Sequence, residues 1–293
     1  MNMEKYLQER KAMVDKALHR LIPPEDAYPQ MIHESIRYSI FAGGKRLRPI
    51  LTLAAGELYN QDLSRYLPAA CALEMIHCYS LIHDDLPAMD DDDYRRGKLT
   101  NHKVYGEAMA VLAGDALLTL AFEVLSRDSL NDSGAIIKVM QEIAAASGTA
   151  GMIGGQVVDL LSEGNPVSAD TLNYIHSRKT GALIRASVRV GGILGGAGEE
   201  ELKVLTRYGQ CLGLAFQIID DILDIEGEES KLGKKTGMDI QKRKATYPGI
   251  HGIEPAREKV KELYHASLSS LEIFEARGEA LKILAGFLVN RDY

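Results

Sequence analysis

The stretch AMAVLAGDALLTLAFEVL, residues 108–125, decides the fold. Its apolar residues recur at three- and four-residue spacing and leave almost no polar side, so it reads as a helix enclosed by other helices rather than an amphipathic surface helix. Working outward, that stretch extends to 103–126. The same spacing governs 31–42, 46–60, 66–84, 135–161, 170–192, 199–225 and 256–290, separated by short breaks containing Gly, Pro or Asp. Alternating Val, Ile and Thr runs bounded by hairpin turns are almost absent. The expectation is an all-α fold, a helical bundle with its most apolar helices at the centre.

The chain has 293 residues, 46% hydrophobic and 26% charged, which is ordinary globular composition and excludes disordered, collagen-like and low-complexity readings. No linker rich in Pro, Gly or Ser divides it, so a single domain over 1–293 is expected. With 34 Lys and Arg against 41 Asp and Glu, the net charge is −7. The long-range field therefore opposes phosphate polymers and anionic lipid surfaces, so neither a nucleic acid nor a membrane is an expected partner. Small anionic ligands remain open through local basic patches. Cys71, Cys78 and Cys211 are too few and too scattered for a disulfide framework or a CxxC metal site. The charged start MNMEKYLQERKAM lacks the apolar core of an export signal, and no long uncharged apolar run follows, so a cytoplasmic protein is expected.

Charge is distributed unevenly. Residues 84–93, DDLPAMDDDD, hold six aspartates in ten positions. Each close pair of carboxylates costs about 1 kcal/mol even in water, so the segment calls for a neutralising cation. Asp84 and Asp85 end the apolar helical run LEMIHCYSLIHDD at 73–85, with Pro87 just beyond. The negative end of the helix dipole makes a structural role there a weak explanation. A second cluster, LAFQIIDDILDIEG at 214–227, places Asp220, Asp221 and Asp224 within an arc of about 100° on one helix face, beside core-type isoleucines. All-oxygen clusters without His or Cys spacing suit hard cations, and Mg²⁺ is commonly held by a few carboxylates completed by substrate phosphates. Basic residues gather at GGKRLRP (43–49), RRG (95–97), SRKTGA (177–182) and KLGKKTGMDIQKRK (231–244). Any one of these could be a solvated charged face. Together with two aspartate clusters they are what a diphosphate-and-metal site requires.

DDLPAMD at 84–90, DDILD at 220–224, FAGGKRLRP at 41–49 and NHKVYGEAMAVLAGDALL at 101–118 resemble the motifs of the trans-isoprenyl diphosphate synthases. The resemblance runs through most of the chain. It is nearest in form to bacterial farnesyl-forming members, whose first aspartate motif carries the same two-residue, Pro-containing expansion. It implies an isoprenoid-synthase-type bundle around a deep central cavity, the two aspartate motifs facing each other across its mouth. It also implies Mg²⁺ as cofactor, as three ions with bound diphosphate and Mn²⁺ as an alternative, and a homodimer. By matching positions, Asp84 and Asp90 hold two ions and Asp220 the third. Asp85 is a direct or water-mediated metal ligand, and Asp221 and Asp224 support the second motif. Arg95, Lys179, Thr180, Gln217, Lys234 and Lys244 match positions that bind the allylic diphosphate. Gly44, Lys45, Arg48, His77 and Arg96 match those that bind isopentenyl diphosphate.

The implied reaction is ionisation of the allylic diphosphate, condensation with isopentenyl diphosphate and loss of a proton, with the Lys179 carbonyl, Thr180 and Gln217 as dipoles near the cation. Tyr79 lies five residues before Asp84, about 7.5 Å down the helix, where a growing apolar tail would extend. In the resembling family an aromatic residue there marks the fifteen-carbon product, so farnesyl diphosphate is the expectation. Besides an acidic helical cation-binding or scaffold protein without enzyme activity, which leaves the basic clusters unexplained, two alternatives stand beside it. One is a geranylgeranyl diphosphate synthase. The other is a non-catalytic helical partner subunit of a heteromeric prenyltransferase, a class that typically loses motif aspartates, all of which are present here. Glu74 fits a surface or a bundle-interior position equally, and His83 carries no assigned role.

Overall fold

The structure, a computed structural model, describes residues 2–226 and 244–289. The all-α expectation is met: beyond helices, the described residues form one two-stranded ladder of two residues a side. The chain divides into two compact units. Unit 1 comprises residues 1–53 and 63–140, and unit 2 comprises 54–62 and 141–293.

Unit 1 begins with a helix that the sequence reading did not include, α1 (Met3–Leu21), capped where the Asn2 side chain accepts the Lys5 N–H at 3.1 Å. It buries only Tyr6, Val14, Ala17 and Leu18 among many charges. After α2 (Gln30–Ile40) and α3 (Leu47–Gly56) comes α4 (Leu67–Asp84), with a proline in its first turn and burial on nearly every side from Leu67 to Ile82. A short helix, α5 (Asn101–Tyr105), ends at Gly106, whose φ of 87° breaks the expected 103–126 run, and α6 (Glu107–Ser126) follows. By length and composition α6 is apolar enough to cross a membrane, which the sequence reading did not anticipate. A core helix passes the same test, and α6 packs on α4 with Ala110, Ala113, Leu117, Ala121 and Leu125 buried. Val111 and Leu112 remain exposed.

The expected 135–161 helix is two: α7 (Ser133–Ser147), whose residues are divided between the units at 140, and α8 (Met152–Ser162) of unit 2, interrupted by the glycine-flanked stretch Gly148–Gly151. The 170–192 stretch is α9 (Ala169–Ile175), a single π-helical turn (His176–Thr180) and α10 (Gly181–Gly195). The long α11 (Glu199–Glu226) packs against α10. On another side Cys211, Ala215, Ile218, Ile219 and Ile222 of α11 form a core with Ala256, Val260 and Leu263 of a later helix. That region comprises α12 (Tyr247–His251), α13 (Ile253–Ser270), a 3₁₀ segment (Leu271–Gly278) and α14 (Glu279–Val289). Glu275, at φ 50°, interrupts the expected 256–290 helix.

Candidate active site

Each unit carries one cluster of acidic and basic side chains. In unit 1, α4 stops at Asp84 and the chain folds back on itself. The Asp90 N–H donates to the Asp84 carbonyl at 2.8 Å and the Asp91 N–H to the Leu86 carbonyl at 3.1 Å, with Asp91 at φ 52°. Pro87 forbids continuation of the helix. The two-residue expansion thus closes a loop that brings the backbones of Asp84 and Asp90 together.

A hairpin follows, Tyr94–Arg95 paired with Lys98–Leu99, turned by Arg96 and Gly97 at φ 54° and 75°, the positive angles that a two-residue hairpin favours. Arg95 Nε reaches Asp85 Oδ1 and Oδ2 at 2.7 and 2.9 Å, and its Nη2 lies 2.5 Å from Oδ1. Burial pushes the Asp85 carboxyl up despite the opposing pull of Arg95. Asp85 is therefore first an anchor for Arg95. Arg96 donates to the Gly43 carbonyl and lies over Gly44, where a Cβ would sit 2.5 Å from Nη1 and φ is 120°. The positive φ is what favours glycine there, since the Arg96 guanidinium is the movable end of its side chain.

The loop 43–46 is locked by residues that the sequence reading left unassigned. Arg46, buried and at φ 54°, donates to Asp15 Oδ1 at 2.8 Å, Glu74 Oε1 at 2.8 Å and the Ile40 carbonyl at 2.7 Å. The sequence signal was Glu74 itself, a carboxylate in an otherwise apolar helix. Burial and the charges of Arg48 and Arg96 hold His77 well below the usual imidazole range, so its ring is neutral. His77 and Arg96 border a cleft of about 30 Å³ together with Tyr38, Arg46, Glu74 and Arg95. Lys45 and Arg48 are not among its lining. Tyr79 is buried on α4 with its ring edge-on to His83 at 5.8 Å, and its hydroxyl has no hydrogen-bond partner among the described residues. Burial, then the charge of Asp84, pushes the phenol up to about 12.

In unit 2 the π-turn and α11 meet through a relay. Thr180 Oγ1 donates to Gln217 Oε1 at 2.8 Å, and Gln217 Nε2 donates to Asp221 Oδ1 at 3.1 Å. The Tyr247 backbone N–H donates to Asp221 Oδ2 at 2.8 Å. Lys179 Nζ, on the same π-turn, donates to Asp159 Oδ2 at 2.7 Å. Lys244 Nζ lies 3.9 Å from Glu163. These side chains border a cavity of about 120 Å³ lined by Asp159, His176, Lys179, Thr180, Gln217, Asp221 and Lys244. The second motif is not uniform: Asp221 and Asp224 are buried, whereas Asp220 is half-buried. Lys234 lies outside the described residues. Asp159 and His176 were not singled out from the sequence. His176 Nε2 approaches Asp221 Oδ2 at 3.4 Å, and burial, against the attraction of Asp159, holds its ring down at about 4, hence neutral at pH 7.

Among the described residues no three carboxylate, imidazole or thiolate groups converge closely enough to hold a metal ion alone. The oxygen-only donors at Asp84, Asp90 and Asp220 fit a hard ion bound by one or two carboxylates and completed by phosphate oxygens, not an all-protein cage.

The polyprenyl synthetase family matches residues 29–279. The chain is 49% identical to a geranylgeranyl diphosphate synthase of Cyanophora paradoxa, over 99% of this chain and 97% of that protein. It is 43% identical to the farnesyl diphosphate synthase of Geobacillus stearothermophilus, over 100% and 99% of the two chains. A solved geranylgeranyl pyrophosphate synthetase from Pyrococcus horikoshii Ot3 is similar with a TM-score of 0.90 at 34% identity, covering 99% of this chain and 100% of that one.

Proposed function

Because the chain belongs to the polyprenyl synthetase family, we propose that it is a Mg²⁺-dependent head-to-tail prenyltransferase that condenses isopentenyl diphosphate with dimethylallyl and geranyl diphosphate to give (E,E)-farnesyl diphosphate. The observation that carries this reading is that each unit sets motif aspartates beside basic side chains, Asp85 bound to Arg95 in unit 1 and, in unit 2, the Asp221 relay bordering one cavity with Lys179, itself held by Asp159. Such pairing suits a ligand that brings diphosphate and a divalent cation together.

Asp84, Asp90 and Asp220 are the residues that would hold Mg²⁺, or Mn²⁺ in its place, with Asp85, Asp221 and Asp224 bracing them. When bound, the metal supplies Lewis-acid neutralisation of the departing diphosphate. Arg95, Lys179, Lys234 and Lys244 would bind the allylic diphosphate as its C–O bond breaks and the electron pair leaves on oxygen. The carbocation left behind faces the Thr180 and Gln217 dipoles, which stabilise charge without forming a bond. Gly44, Lys45, Arg48, His77 and Arg96 would hold isopentenyl diphosphate. Its double-bond electrons make the new C–C bond, and the proton lost from the adjacent carbon passes to an oxygen of the released diphosphate. Neutral His77 can then donate to a diphosphate oxygen without adding charge.

Tyr79 carries the choice of chain length, standing buried about 7.5 Å before Asp84 along α4 as a floor for the apolar tail. A geranylgeranyl product is the second reading, favoured by the name of the 49% identical relative. The deciding experiment incubates the purified protein with isopentenyl and geranyl or dimethylallyl diphosphate, with Mg²⁺ or EDTA, and resolves the dephosphorylated products. Metal-dependent farnesol supports the proposal. Geranylgeraniol keeps the reaction and removes Tyr79 as the floor, and no product under any condition favours the inert-subunit reading. The exposed Val111 and Leu112 of α6 suit burial against a second copy, so we also infer a homodimer, which light scattering tests.

A further inference from the structure

Asn101 opens the segment 101–118, yet no step of the reaction uses it. It is a buried amide, 3% exposed, whose hydrogen bonds all run to one helix, α2. Its Nδ2 donates to the Ser35 carbonyl at 3.0 Å and to Ser39 Oγ at 2.8 Å, and its Oδ1 accepts from Ser35 Oγ at 3.0 Å. A buried polar network satisfied in this way is rigid. Two residues earlier in the chain, the Leu99 carbonyl accepts from the Tyr38 hydroxyl at 2.8 Å, again from α2. These bonds fasten the outgoing strand of the Arg95–Arg96 hairpin, and the Thr100 N–H closes its base on the Asp93 carbonyl at 2.9 Å. The same helix leads through Phe41 into the loop 43–46, whose Gly43 carbonyl accepts from Arg96. One helix thus carries the glycine loop at its C-terminal exit and grips the hairpin along its side. Tyr38 and Asn101 also border the 30 Å³ cleft with His77 and Arg96. The two guanidinium groups of the hairpin are held differently. Arg95 has its own anchor on α4, the Asp85 carboxylate. Among the described residues Arg96 bonds to the Gly43 carbonyl alone, so its place is set by the hairpin backbone.

We propose that Asn101 and Tyr38 are positioning residues for isopentenyl diphosphate: through the root of the hairpin they set Arg96 against the Gly44–Lys45 loop at the spacing one diphosphate requires. The inference rests on the prenyltransferase reading above. Positioning of this kind needs no contact with substrate, and no bond to either residue forms or breaks. A diphosphate presents its oxygens at fixed separations, so donors from two segments of chain bind it together only when both are referenced to one rigid body. That body is α2. Loosening the root leaves Arg95 on Asp85 but lets Arg96 shift with the turn, so the loss falls on one substrate rather than on both.

The test measures kcat, KM for isopentenyl and for geranyl diphosphate, and melting temperature in Tyr38→Phe, Asn101→Ala and, as a reference, Arg96→Ala. Tyr38→Phe removes one hydrogen bond from a half-buried ring and should fold as wild type does. The expected result is a KM for isopentenyl diphosphate raised about threefold in Tyr38→Phe and about tenfold in Asn101→Ala, with KM for geranyl diphosphate within about twofold of wild type in both. A wild-type KM for isopentenyl diphosphate in either folded variant overturns the inference, whatever the melting temperature. So does an equal rise for the two substrates, which marks a general loosening of the fold. Should Asn101→Ala fail to fold, Tyr38→Phe decides alone. The parent reading fails by other results: no prenyl transfer in wild type, or a KM for isopentenyl diphosphate that Arg96→Ala leaves unchanged.

Discussion

The acid-and-base cluster of unit 1 is fixed by backbone, whereas that of unit 2 is fixed by side chains. In unit 1 Arg46, Asp91, Arg96 and Gly44 all sit at positive φ, and Asp84 and Asp90 are joined through main-chain groups. In unit 2 regular helices and one π-turn present Thr180, Gln217 and Asp221 to one another, and hydrogen bonds between their side chains set the orientation. The first arrangement stores its geometry in strained conformations held by buried ion pairs. The second stores it in a relay that can be loosened one link at a time. Damage to unit 1 should therefore appear first in stability, and damage to unit 2 first in turnover.

The sharpest attempt to break that contrast is Arg46→Met, which leaves Glu74 as an unpaired buried carboxylate. It should cost about 3–5 kcal/mol in denaturant unfolding, with most of this recovered by Arg46→Met combined with Glu74→Leu. A loss under 1 kcal/mol would mean that the loop holds itself. Asp221→Asn should lower kcat by about tenfold while moving the unfolding midpoint little, because a polar partner for Tyr247 N–H remains but the Gln217 amide loses its charged anchor. A stability loss larger than the activity loss would erase the distinction between the units. Tyr79→Ala should leave turnover near wild type and lengthen the product, read by chromatography of the dephosphorylated chains.

The smallest effect is in pH dependence. His77 stays neutral in the folded state, while in the unfolded chain it takes a proton near pH 6.5. The unfolded state then binds more protons, so this contribution is present above pH 6.5 and is lost as pH falls below it. The slope is at most about 1.4 kcal/mol per pH unit and smaller in practice, because the ring keeps some exposure. His77→Asn should flatten urea midpoints compared between pH 7.5 and 5.5, and an unchanged slope would assign the acid sensitivity elsewhere.

What could be read from the sequence was whatever is local. The helical period and both aspartate motifs are contained in windows of a few turns, and they placed Asp84 at a helix C-terminus and Asp220 on a helix, as in α4 and α11. Arg46, Glu74 and Asp15 escaped because their partnership spans 59 positions and leaves no periodic trace. Asp85 looked like its neighbours by charge alone, and only the hairpin that turns Arg95 back onto it separates their roles. Asp159 and His176 are unremarkable singly and gain meaning from the close seat of α8 on the π-turn. α1 was hidden by its charges, since only four of its nineteen residues are buried.

The π-turn at His176–Thr180 also acts as a phase shifter. It spends one residue more than an α-helical turn needs, which rotates everything downstream by about 100° about the helix axis. The buried face of α10, with Leu183, Ile184, Val188 and Val190, is set by that extra residue as surely as by its own composition. Removing a single codon anywhere from 176 to 180 would keep every chemical group except one, yet it would force a choice between the hold of Lys179 on Asp159 and the core face of α10. In this segment chain length is the constrained quantity, and a one-residue deletion should be tolerated less well than most substitutions.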